Sequence, residues 1–271
     1  ASAMPSGAGG KAKAVIYLYM AGGMTHIDTW DPKTGETKGA KDPIKTKAGF
    51  ELGGYMTEMA KVSDKISIVR SMSSKTGVHE AGTYVMHTGY DPRGTIVHPT
   101  LGSWAQHFLG RSHKTLPSSV VIGAGDANAG FFPPALAPVP ISNPDAGLQN
   151  SRSTVAGETL KKRLSLVNEF DSSFRSKYKS DDVKAYTEFY DETMKLLASS
   201  DLQAFSLSGV DGATKALYGT SGFSKGCMLA SRLVQSGVRF VEVRLGGWDM
   251  HIGVDQAMTR TGSEMDKGLA S

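Results

Sequence analysis

Apolar and polar positions divide the chain into short β-rich runs and longer helical stretches. Val15 to Met20 (Val-Ile-Tyr-Leu-Tyr-Met) is an unbroken run of six residues that stops at Gly22-Gly23. A run buried on both faces reads as a central parallel strand, and a run this short also fits a buried helix. Residues 33–54, rich in Lys, Gly and Thr with little periodicity, read as a surface excursion. Tyr55 to Ala60 has helical character with Met56, Met59 and Ala60 on one face, and Ser63-Asp64 ends it. Ile66 to Met72 is a second strand candidate, so strand, loop, helix and strand open a βαβ arrangement and predict a parallel sheet. From His79 the pattern is helical again, with Thr83, Met86 and His87 at turn spacing and Gly89 as the stop. Thr100 to Leu109 is another helix, with Leu101, Trp104, Ala105 and Phe108 on one face. Pro117 then introduces a third strand within Ser118 to Gly123.

Residues 124–150 hold five of the eleven prolines and read as a long irregular segment of a kind that is often functional. Beyond it, Leu160, Leu164, Val167, Phe170, Phe174 and Tyr178 form one stripe at three- and four-residue steps. Tyr186, Phe189, Tyr190, Thr193 and Leu197 form a second. Both stripes read as core packing, within a helical insertion at about 151–215 on an α/β domain that spans 14–271 after a flexible N-terminus of 1–13. Gly222 to Gln235 is a helix with Phe223, Cys227, Ala230 and Val234 aligned and Gly237 as its stop. Val238 to Leu245 follows as a strand with partial alternation and ends at Gly246-Gly247-Trp248-Asp249-Met250-His251. The opening pattern thus recurs near the far end: a β-rich run, a Gly-Gly break, then Asp and His two residues apart.

Composition narrows the class. At 271 residues with 39% hydrophobic and 21% charged residues, the chain can bury a sizeable core. A net charge of +4 with dispersed basic residues gives no nucleic-acid patch, and Lys161-Lys162-Arg163 reads as a solvated helix face. No apolar run approaches the roughly 20 residues of a membrane span. Residues 1–11, small and polar, read as a mature end left by signal cleavage or as an expression remnant. The single cysteine, Cys227, excludes an internal disulfide framework and fits a buried small side chain, which leaves periplasm and cytosol equally open.

The candidate chemistry lies at the strand ends. His26 with Asp28, and Asp249 with His251, each follow a predicted strand, and in open α/β sheets ligands gather beyond the carboxyl ends of strands. Carboxylate oxygen and neutral imidazole nitrogen are ligands that divalent metals accept. Two such pairs at one sheet edge would hold one metal or two; capping and local hydrogen bonding is the competing reading of each pair. Asp31, in Asp-Pro-Lys-Thr-Gly, is a turn residue. His79 stands where a loop enters a helix, a place that favours anions. Ser71, Ser73, Ser74 and Thr76 nearby are either nucleophile candidates or N-cap and loop hydroxyls. His87, two turns after His79 on one helix face, is placed to reach the same site, whereas His98, His107 and His113 have no visible partners. Gly123-Ala-Gly-Asp opens no predicted helix and is a poor dinucleotide fingerprint.

Several blocks together resemble a known family. Leu18-Tyr-Met-Ala-Gly-Gly-Met-Thr-His-Ile-Asp-Thr-Trp-Asp-Pro-Lys33, Ile68-Val-Arg-Ser-Met72, Met86-His-Thr-Gly-Tyr90, Pro99-Thr-Leu-Gly-Ser103, Leu233-Val-Gln-Ser-Gly-Val-Arg-Phe-Val241 and Gly246-Gly-Trp-Asp-Met-His251 look, in that order, like the bacterial domain-of-unknown-function family numbered 1501. That family is similar to the alkaline phosphatase and sulfatase superfamily. The likeness implies a three-layer α/β sandwich with a mostly parallel central sheet, and a metalloenzyme that cleaves phosphate or sulfate esters. On it, Asp249 and His251 would be ligands of a divalent metal (zinc, manganese or calcium), His26 and Asp28 would face the same site, and His79 would stand in the place of the sulfatase nucleophile. An imidazole there departs from the covalent sulfatase pattern. The family also continues past the Trp-Asp-x-His block with further acidic and histidine blocks, so the expectation is a domain lacking its C-terminal part. Family members are commonly exported, which implies a periplasmic or secreted protein. The substrate would be a small-molecule or polymer ester; the alternative is a non-catalytic binding or assembly module of the same fold at the cell surface.

Overall fold

The computed structural model describes residues 12–125, 127–151, 155 and 157–271; most of the expected flexible N-terminus and Asp126, the end of the Gly-Ala-Gly-Asp run, lie outside the described residues. The chain runs β1 (Val15–Met20), β2 (Ile44–Lys45), β3 (Glu51–Leu52), α1 (Thr57–Lys61), α2 (His79–Thr88), α3 (Leu101–Leu109), β4 (Ser119–Ile122) and β5 (Val139–Ile141). It continues through α4 (Gly157–Lys177), α5 (Asp181–Leu197), α6 (Gly212–Tyr218), α7 (Gly222–Gln235), β6 (Phe240–Leu245), α8 (Val254–Ala257) and α9 (Ser263–Ala270). The main sheet has four strands in the order β1-β6-β4-β5, all parallel, and β2 and β3 form a separate antiparallel pair. This is the mixed α/β fold with a parallel sheet that the periodicity predicts.

Side chains alternate across the sheet and give its two faces different work. Val120, Ile122, Val241 and Val243 are buried on the face that meets α7, where Gly226 lets the helix close on Val243 and Ile122. The opposite face presents Tyr17, Tyr19, Ser119, Phe240, Glu242 and Arg244 toward α2 and α3. Helices therefore cover both faces, and one face is strongly polar. α9 packs on α7 and on α1, and the buried carboxylate of Asp266 accepts the amide N–H of Glu58 at 2.7 Å and of Met59 at 2.8 Å. That acid caps the start of α1 from the far end of the chain, satisfying donors a short helix leaves open. Burial holds the Asp266 pKa up against the lowering effect of those N–H groups.

Several elements differ from the sequence expectation. β1 is an edge strand, with Val15 and Ile16 exposed, because among the described residues only β6 pairs with it. Ile66 to Met72 forms no strand with any described residue and turns at Arg70-Ser71, and Val69 and Met72 are exposed. β propensity alone makes no strand without a partner's backbone groups. The surface excursion is anchored by the β2–β3 pair, whose Leu52 is fully buried. The apolar stripe of α3 does not face the sheet. Gly102 and Ser103 do, since the helix approaches Ser119 and Phe240 too closely for a larger residue, while Trp104 turns outward to meet Phe108, Phe131 and Phe132. The stripe of α4 is likewise not core: no residue of that helix is buried, and Phe170 is 75% exposed. The irregular segment after β4 contains β5, with Pro140 tolerated because β5 is also an edge.

Candidate functional site

Two parallel neighbours, β1 and β6, end side by side, and their exit loops are stitched together. Ala21 N donates to Leu245 O at 2.9 Å and Trp248 N donates to Ala21 O at 3.2 Å. Gly22, at φ +117°, sits so close to the second loop that a Cβ there would fall 2.6 Å from the Asp249 amide nitrogen. Only glycine combines that backbone conformation with that approach. Trp248 is buried and pins the loop, so that Asp249, next in the chain, projects outward. The two Gly-Gly breaks that recur along the sequence thus meet in space.

Asp249 is the hub of the site. Its Oδ2 lies 3.3 Å from His79 Nε2, at the first residue of α2, and its Oδ1 lies 2.7 Å from His251 Nε2. All three side chains are open to solvent, at 56%, 50% and 80% exposure for His79, Asp249 and His251. His79 therefore joins the pair read from the strand end.

Asp28 lines the same 430 Å³ cavity as Asp249 and His251, but its carboxylate is already engaged. Asp28 Oδ2 accepts Thr25 Oγ1–H at 2.8 Å and Oδ1 accepts Ala40 N–H at 3.0 Å, which ties the opening loop to residues 38–40. His26 is exposed and lines a different groove with Trp30, Asp31 and Arg70. Asp31 pairs with Lys33 at 2.7 Å and Arg70 at 3.5 Å, and the Lys33 ammonium in particular holds its carboxyl below the usual range. Ser73 is exposed and lines neither this cavity nor the one beside His79.

His87 does not reach Asp249. Its Nε2 meets Glu242 Oε1 at 2.8 Å, both side chains are 4% exposed, and Nδ1 contacts Thr83 O at 2.7 Å. Burial opposes the charge on this imidazole, yet the Glu242 carboxylate and the Thr83 carbonyl outweigh it and raise the His87 pKa above its ordinary value. The Tyr19 ring lies edge-on to His87, and its hydroxyl contacts Thr83 Oγ1 at 3.0 Å. Tyr17 beside them is pushed up to about 12 by burial and by the Glu242 charge. Sequence reading missed Glu242 and Arg244. The signal was present: with Val241 and Val243 on the apolar face, the strand's period of two sets Phe240, Glu242 and Arg244 together on the other.

The donor set at Asp249 is chemically suited to a divalent cation: two imidazoles and a carboxylate. Donors that share a tetrahedral ion stand about 3.4 Å apart; the His79–Asp249 separation is close to that, and the His251–Asp249 contact is tighter. Among the described residues no group of three or more His, Cys, Asp or Glu side chains is placed to hold a metal ion as it stands. A carboxylate between imidazoles also suits proton transfer, since the acid fixes ring orientation and stabilises the charged form.

Compared with known proteins, residues 12–271 match the family described as "Protein of unknown function (DUF1501)". The chain belongs to this family. The DUF1501 match runs through β1, α2 and β6, and so covers every residue of the site. No curated protein and no solved structure matches the chain.

Proposed function

We propose that this DUF1501 chain is an exported, metal-dependent hydrolase of phosphate or sulfate esters, of an alkaline-phosphatase-like fold. The observation that carries the reading is the convergence of His79, Asp249 and His251 beyond the carboxyl ends of β1 and β6. Asp249 and His251, with His79 beside them, would hold the cation, which when bound polarises an ester oxygen. Asp249 orients both imidazoles. His79, at the start of α2 where backbone N–H groups favour anions, stands where the transferred group would lie and moves a proton or contacts that group. Asp28 supports the reading indirectly: it fixes the opening loop against which the Asp249 loop packs. A periplasmic or secreted location follows from the family likeness alone.

One observation favours a non-catalytic surface module of the same fold: Asp28 is consumed locally and His251 is almost free in solvent. Elemental analysis together with a screen of aryl phosphates and aryl sulfates, with zinc or manganese added, separates the two. Near-stoichiometric metal and metal-dependent turnover are expected. A metal-free protein inert toward both ester classes establishes the binding module instead.

A further inference from the structure

Beside His79, on the α2-facing side of the sheet, is a cavity of about 360 Å³ whose lining includes Thr83, His87, Asn128 and Arg244. Arg244 enters it from the last turn of β6 alternation, two residues beyond Glu242 and on the same face. Its guanidinium makes no ion pair or hydrogen bond with any described residue and rests over the Tyr19 ring, 5.5 Å from the centroid. The nearby acid, Glu242, is taken up by its contact with His87 and makes no ion pair with Arg244. Asn128 supplies a second donor. Its Oδ1 accepts Gly130 N–H at 3.0 Å and its carbonyl accepts Thr100 and Ser103 hydroxyls, which fixes the residue and leaves the amide Nδ2 without a hydrogen-bond partner among the described residues. Glu80 is the acid at the rim and is exposed.

We propose that this cavity is an oxyanion subsite, in which Arg244 and Asn128 grip a phosphate or sulfate group and hold it against His79. A half-buried guanidinium offers a planar fork of N–H donors that matches two oxygens of a tetrahedral anion, which a lysine ammonium does not reproduce. The role of the subsite in catalysis rests on the hydrolase reading; binding of the free anion does not.

The test titrates metal-free protein with inorganic phosphate and with sulfate, using chloride as the control, by calorimetry. Saturable one-to-one binding of either tetrahedral anion is expected, weakened about tenfold or more by Arg244→Gln, partly restored by Arg244→Lys, and weakened less by Asn128→Ala. Asp249→Asn retains the binding. Should Arg244→Gln fail to fold, Asn128→Ala decides. Wild-type protein without saturable binding, or substitutions at Arg244 or Asn128 that bind as tightly as wild type, overturn the proposal. Anion binding without ester turnover instead leaves the subsite standing and rejects the hydrolase.

Discussion

The molecule carries two acid–imidazole pairs across the same two elements, and they behave in opposite ways. His79–Asp249 and His87–Glu242 both join α2 to β6 or its exit loop, and the two histidines lie eight positions, about 12 Å, apart on one helix. The first is half exposed; the second is 4% exposed. In water an ion pair is worth little, so the His79–Asp249 contact contributes almost nothing to the fold and its groups stay available to a ligand. In the interior the same chemistry becomes part of the frame, because removing one partner leaves the other buried without its main electrostatic contact. The buried pair holds the helix on the sheet, and the exposed pair stands ready at the helix's other end.

The largest expected effect is that of Glu242→Ala, which leaves His87 buried without its partner and should cost about 3–5 kcal/mol in denaturant unfolding. A cost below 1 kcal/mol would erase the distinction between the pairs. The pH dependence sharpens it. His87 has a folded pKa raised above its ordinary 6.5, so its stabilisation is complete below about pH 6.5 and is lost as pH rises through the folded value. Stability measured from pH 5 to 9 should carry this fall, and His87→Gln should remove it; a fall that survives the substitution assigns it elsewhere. Gly22→Ala should cost about 1–2 kcal/mol from its backbone conformation alone and should displace the Asp249 loop, lowering any turnover further than its stability cost explains. Asp249→Asn should change stability by less than about 1 kcal/mol, a value read from the same unfolding curves. Smallest of all, Phe170→Ser should stay within about 0.5 kcal/mol, and a larger loss would place the α4 stripe in a packed interface.

The parts of this fold that are legible in the sequence are those whose pattern is local. His79–Thr88 and Gly222–Gln235 carry their own helical period and end at glycines, and Val15–Met20 is an apolar run stopped by Gly22-Gly23; each forms an element where the sequence places it. Ile66 to Met72 has the composition of a strand but lacks a neighbour, which no local pattern reports. The α3 and α4 stripes have helical spacing, yet which face a helix buries depends on what it meets: for α3 the small pair Gly102-Ser103 fits closest to the sheet. At the site, Asp249 and His251 follow from the strand end, and the repeated Gly-Gly break correctly brings two loops together. Asp28 does line the cavity of Asp249 and His251, with its carboxylate held by Thr25 and Ala40, whereas one turn of backbone sends His26 into a separate groove. Glu242 and Arg244 required reading the strand by faces.

The most direct test compares aryl phosphate and aryl sulfate hydrolysis by metal-supplied wild-type protein and by Asp249→Asn, with folding of both confirmed by their unfolding curves. Turnover that falls about a hundredfold or more at unchanged stability is the predicted result, the size expected when a group that steadies charge in the transition state is lost. Equal turnover in the two proteins, or none in the wild type with either ester, contradicts a hydrolytic centre at Asp249.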